Sequence, residues 1–166
     1  GFVTATEDKT ERTVMELIPA EYKHLDLKPV GRLDKATEGL LLFTNDGAFA
    51  NTLMPPTHEV KKTYEVWTTG YVPGAEVRLA RPIELDGYKI KAPKGRPVRM
   101  EPTRAILDVT IHEGRNRQVR RVCEIAGMHV TRLKRVKEGA LELGGLPKGK
   151  WRYLRSDEIA ELTGEK

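Results

Sequence analysis

The spacing of apolar and polar positions along the chain predicts a strand-rich molecule with a few short helices. Residues 39–44, Gly-Leu-Leu-Leu-Phe-Thr, form a mostly apolar run bounded by Asn-Asp-Gly, and predict a buried strand. Asp46 then offers an N-cap for a helix from Gly47 to about Leu53, stopped by Met-Pro-Pro. Residues 62–69 are rich in β-branched and aromatic types and predict another strand. From Arg104 to Ile111 the positions Ala105, Leu107, Val109 and Ile111 alternate with mixed residues, as in a half-buried strand. The period then changes. Val119, Val122, Cys123 and Ala126 fall at i, i+3, i+4 and i+7, predicting a helix over 116–126 with Gly127 at its C-terminal cap. Residues 130–137 and 140–143 read as strands separated by Glu138-Gly139.

Weaker signals fill the gaps. Val14 to Pro19 reads as a helical turn stopped by proline, and Pro73 opens a helix running to about Ala80. Residues 83–92, with Asp86-Gly87 in the middle, predict a hairpin. The Pro-, Gly- and Arg-rich stretch 93–103 predicts a mobile loop, and Ser156 is placed to cap a last helix through Leu162. No repeat or long linker interrupts the chain, so the expectation is one mixed α+β domain over residues 1–166.

Composition narrows the function classes. No apolar run reaches the ~18 residues of a membrane span, and no charged-then-apolar leader opens the chain, so a soluble, cytoplasmic protein is expected. A start at Gly1 rather than Met suggests a piece of a longer protein. The lone Cys123 excludes an internal disulfide and any multi-cysteine zinc site. His24, His58, His112 and His129 lack ligand spacing, so no metal is expected.

Charge is where the sequence becomes informative. The chain carries a net +5, but residues 112–137 alone hold eight basic and two acidic side chains. The remainder is slightly acidic. Arg115, Arg117, Arg120 and Arg121 crowd the first turns of the predicted helix, where the macrodipole disfavours cations. Arg132, Lys134 and Arg135 follow on the next strand. A solvated helix face is the plain reading. Cations beside free backbone N–H groups suit a polyanion better, and with no Gly-rich phosphate loop present, nucleic acid is favoured over a small phosphate ligand. Asp34, in Gly31-Arg32-Leu33-Asp34, precedes the buried strand and could present a carboxylate from a loop. Beside an arginine such a carboxylate has its pKa lowered by roughly one to three units, and stays ionised as a nucleophile or base. A loop aspartate is more often a cap, and Tyr64 on its strand more often a core residue. Cys123, Trp67 and Trp151 read as packing residues.

Four blocks, taken together, resemble the bacterial ribosomal RNA pseudouridine synthases of the RsuA/RluB type. They are residues 31–47 (GRLDKATEGLLLFTNDG), 61–66 (KKTYEV), 111–122 (IHEGRNRQVRRV) and 129–154 (HVTRLKRVKEGALELGGLPKGKWRYL). The resemblance implies an α+β catalytic fold with a largely antiparallel sheet, helices around a central RNA-binding cleft, and no cofactor or metal. It places the catalytic aspartate at Asp34, the active-site tyrosine at Tyr64, and the aspartate-pairing arginine at Arg120. Arg32, Leu33 and Leu133 would line the substrate pocket, and Arg115, Arg117, Arg121, Arg132, Lys134 and Arg135 would hold phosphates. The family's N-terminal S-four-like RNA-binding domain is not matched, so a catalytic domain without it is expected, as a monomer. The implied reaction converts uridine to pseudouridine in ribosomal RNA, with the large-subunit RNA slightly favoured. Asp34 would attack the ribose, attack the uracil, or remove a ribose proton to form a glycal. A non-catalytic RNA-binding or ribosome assembly module is the rival reading; it would not need Asp34, Tyr64 and Arg120. A methyltransferase would need a nucleotide-cofactor loop, and none is found.

Overall fold

A computed structural model describes residues 2–6, 17–31, 33, 36–53, 60–113 and 117–163. Strands dominate: β1 (Phe2–Thr6), β2 (Lys28–Val30), β3 (Glu38–Thr44), β4 (Lys62–Thr69), β5 (Glu84–Leu85), β6 (Tyr88–Lys89), β7 (Lys94–Met100), β8 (Arg104–Ile111), β9 (His129–Glu138), β10 (Leu141–Glu142) and β11 (Trp151–Tyr153). Among the described residues the helices are α1 (Gly47–Leu53), α2 (Gln118–Ile125) and α3 (Ser156–Thr163), with 3-10 segments at Ala20–Leu25 and Ala75–Ala80. The expected α+β class, built on antiparallel pairings, is what the chain adopts.

The chain forms two compact units, Gly1–Val60 with Arg135–Lys166, and Lys61–Lys134. In the first unit the strand order is β11-β1-β3-β9, with β2 also on β3 and β10 on β9. Every residue of β3 is buried, and its side chains divide by parity. Leu40 and Leu42 join Phe49 and Leu53 of α1 and Leu162 of α3, whereas Leu41 and Phe43 join Leu27 on the other face. A strand covered on both faces must be apolar at consecutive positions, which is why 39–44 reads as a run rather than an alternation. Asp46 caps α1 as its sequence predicts, its Oδ1 accepting from Ala48 N at 2.9 Å and Phe49 N at 3.2 Å. At α3 the cap differs from expectation. Ser156 is the first helical residue, and Glu158, three positions beyond Arg155, reaches back to accept the Arg155 N–H at 2.9 Å.

The second unit orders its strands β9-β4-β8-β7. β4 and β8 pair over their full lengths, Lys62 with Ile111 through Thr69 with Arg104. The inward residues of both strands, including Val66, Leu107 and Val109, form one core with Val119, Val122 and Cys123 of α2. The hairpin at Asp86-Gly87 is present, both residues taking positive φ (54° and 80°), as a two-residue turn between right-twisting strands requires. Two expectations are corrected here. Residues 75–80 form a 3-10 segment rather than a helix begun by Pro73. The stretch 93–103 is not a loop: Lys94–Met100 is an edge strand on β8. Its Pro97 sits where the register shifts between Pro97 and Arg99, and a proline without an N–H is tolerated at an edge and beside a bulge. Strands β1, β2 and β11 carry no strong local sequence signal. The turn expected at 14–19 lies partly outside the described residues.

Candidate active site

Of the anticipated catalytic and pocket residues, Tyr64, Arg120 and Leu133 lie in the Lys61–Lys134 unit. Tyr64 is third in β4, opposite Val109, and only 9% exposed. Leu133, from β9, is 3% exposed and belongs to the same apolar cluster. Arg120 stands on α2 beside Val119, another member of that cluster. The tyrosine therefore offers an apolar ring on a rigid strand, the leucine an apolar neighbour, and the helix a half-buried guanidinium. Asp34, Arg32 and Arg115 lie outside the described residues. Leu33 packs on the Leu27, Leu41 and Phe43 cluster of the first unit.

The helix bearing Arg120 is anchored with care. Its N-cap, Arg117, holds a left-handed backbone (φ 54°, ψ 29°), uncommon for a residue with a Cβ, and its side chain is exposed. Its first turn contains no acid. Its C-terminus closes in a Schellman motif, with Met128 N donating to Cys123 O at 2.8 Å and Gly127 N to Glu124 O at 3.0 Å around Gly127 at φ 88°. Arg78 Nη1 adds a hydrogen bond to Ala126 O at 3.1 Å, placing a cation where the macrodipole is negative. Burial pushes the Cys123 thiol up to about 12, so it is inert packing at neutral pH, as expected of a cysteine on the apolar face.

The expected phosphate-holding cations differ in their surroundings. Arg132 is exposed and lies over the Trp67 ring, 4.3 Å from its centroid, which pre-orients it at the surface. Lys134 is half-buried and Arg117 is open. Arg121 is engaged: its Nη1 and Nη2 donate to both carboxylate oxygens of Asp86, each at 3.0 Å. That hydrogen bond raises the Arg121 pKa further, so the charge persists. Arg135 corrects the expectation. It is 3% exposed, and its Nε donates to Leu40 O at 2.8 Å, so it ties β9 to β3 from within rather than facing a ligand. Sequence reading also missed Glu113, whose Oε2 accepts from Lys91 N at 2.8 Å and whose Oε1 accepts from Gln118 Nε2 at 3.2 Å. In the sequence Asp86 shows only as a turn residue, because nothing local marks a partner 35 positions away. Among the described residues, no group of three His, Cys, Asp or Glu side chains is placed to hold a metal, and no helix is long and apolar enough to cross a membrane.

Comparison with solved structures defines the class. A crystal structure of a pseudouridylate synthase superposes with a TM-score of 0.81 at 27% identity, covering 97% of this chain and 72% of that one. The family model for RNA pseudouridylate synthase matches residues 1–125, and the chain belongs to that family, of the RsuA/RluB type. The ribosomal large subunit pseudouridine synthase B of Bacillus subtilis is 40% identical over 167 residues, covering 98% of this chain and 67% of its own length. Its namesake from Shigella flexneri is 44% identical over 151 residues, covering 82% of this chain and 50% of its own. The chain thus spans half to two thirds of the length of these curated relatives.

Proposed function

We propose that this protein isomerises a uridine of large-subunit ribosomal RNA to pseudouridine, with Asp34 as the catalytic carboxylate. The observation that carries the reading is the family match over residues 1–125, which spans the blocks holding Asp34, Tyr64 and Arg120. The names of the Bacillus and Shigella relatives support the large-subunit assignment.

The reaction breaks the bond from ribose C1′ to uracil N1 and forms one from C1′ to C5. N1 gains a proton and the C5 proton is lost. A stacked base is out of reach, so the uridine must be flipped out, at a cost of a few kcal/mol. Phosphate contacts from Arg115, Arg117, Arg132 and Lys134 would offset that. On the pairing that the resemblance implies, Arg120 would keep Asp34 ionised, and Asp34 would attack the ribose or the uracil, or take the ribose proton. The Tyr64 ring, held by a strand and its core, would stack on the detached uracil and keep it from diffusing away, and its hydroxyl could assist removal of the C5 proton. Arg135 has no place in this set, since its side chain is buried in the first unit.

Tritium release from RNA labelled at uracil C5 tests the proposal. Wild type should release tritium from large-subunit fragments in preference to small-subunit ones. Asp34→Asn should lower turnover by at least about 10³-fold with RNA binding nearly unchanged. Normal turnover in Asp34→Asn would remove the catalytic assignment. Tight RNA binding with no release from any fragment would favour the non-catalytic binding module.

A further inference from the structure

Resting on the synthase reading above, we infer that Asp86 is a positioning residue for the reaction: by gripping Arg121 it sets the rotation of α2 and so aims Arg120.

The physical case begins with what α2 lacks. Its first turn has no acid and its N-cap residue makes no side-chain capping bond, while Arg117, Arg120 and Arg121 bring positive charge to the positive end of the helix dipole. Other segments supply the missing anions. Asp86, from the β5–β6 turn, meets Arg121 through two parallel hydrogen bonds. Glu113 bridges Gln118, the first residue of the helix, to the Lys91 backbone. Both carboxylates therefore connect the start of α2 to the segment 86–91, and Arg78 holds its far end. Contacts at both ends resist a roll of the helix on its apolar face. A roll of about 20° would carry a side-chain tip some 8 Å from the axis through about 3 Å. A catalytic group tolerates much less displacement, with ~1 Å enough to cost roughly a hundredfold.

The ion pair is poorly explained as a stabilising device. Its side chains are 30% and 67% exposed, and pairs of that kind contribute little to stability. The bidentate geometry fixes orientation instead, which a single lysine-like contact would not do. Asp86 also sits at φ 54°, a conformation open to Asp and Asn, so Asp86→Asn keeps the turn and removes the charged fork.

The experiment compares wild type, Asp86→Asn, Arg121→Lys and the double variant by tritium release, RNA affinity at several salt concentrations, thermal unfolding, and amide exchange over residues 118–122. Positioning predicts that kcat falls about tenfold in each single variant, with KM for RNA within about twofold. The double variant should be no worse than either single one, and the melting temperature should move little. Exchange over 118–122 should quicken in Asp86→Asn. The inference is overturned by full kcat in Asp86→Asn. It is equally overturned if Asp86→Asn tightens RNA binding while Arg121→Lys behaves as wild type, the result expected of a plain phosphate contact. A wild type that releases no tritium overturns the synthase reading, whereas unchanged exchange in Asp86→Asn overturns the brace, so the two failures are read separately.

Discussion

Gly39 shows how one residue can set a strand pairing. Its φ is 116°, and a Cβ built there would lie 2.2 Å from the Arg135 carbonyl oxygen and 2.6 Å from the Arg135 nitrogen. Both obstacles are backbone, so no side-chain rotation relieves them. Gly39→Ala should therefore cost about 3 kcal/mol or more in denaturant unfolding, from overpacking and strain together; a cost under 1 kcal/mol would show that β9 can withdraw. The sequence shows this glycine at the mouth of an apolar run and nothing more. Its reason lies 96 positions away. The same holds for Arg135, which looks like its neighbours Arg132 and Lys134 in a list of cations but is spent on Leu40 O. Tyr64 was legible as a site residue only through the resemblance. Its burial among apolar residues is what a core tyrosine would also show.

Elements with strong local signals formed as their patterns predict: β3, α1, β4, the 86–87 hairpin, β8, α2 and β9. Elements that depend on partners did not announce themselves. β7 is basic and carries Gly95 and Pro97, and only an edge position beside β8 makes it a strand. α3 illustrates an element whose end is built by a charge. The Glu158 carboxylate accepts from both Arg152 terminal nitrogens at 2.8 Å and from the Arg155 N–H, and the Arg152 hydrogen bond holds its pKa down to about 2. Because the folded pKa lies below the ordinary glutamate value of about 4.3, this carboxylate adds stability above that value. The contribution is lost as pH falls from there through about 2. Wild type should lose stability steeply across that window, and Glu158→Gln should start less stable at pH 7 and fall less steeply. Parallel pH profiles in urea titrations would remove Glu158 from the account.

At the scale of the molecule, charge segregates. The basic segment 112–137 sits in an otherwise slightly acidic chain, and Arg117 and Arg132 present their guanidinium groups at the surface. RNA affinity should therefore fall linearly on a logarithmic salt scale. Arg117→Ala should lower that slope by about one with little change in melting temperature. An unchanged slope would remove Arg117 from the phosphate contacts.

By itself, the sequence determined the strand-rich α+β class, most of the strands and helices, the basic segment, and through its four blocks the family. These are properties of local period, local composition and linear motif, and each is written within a few tens of residues. Tertiary structure decided the rest. It divided the chain into two units, turned a basic stretch into an edge strand, buried Arg135 and left Arg132 on Trp67. It also brought Asp86 to Arg121. Those outcomes depend on which distant backbone lies beside which side chain, and a one-dimensional pattern does not encode that adjacency.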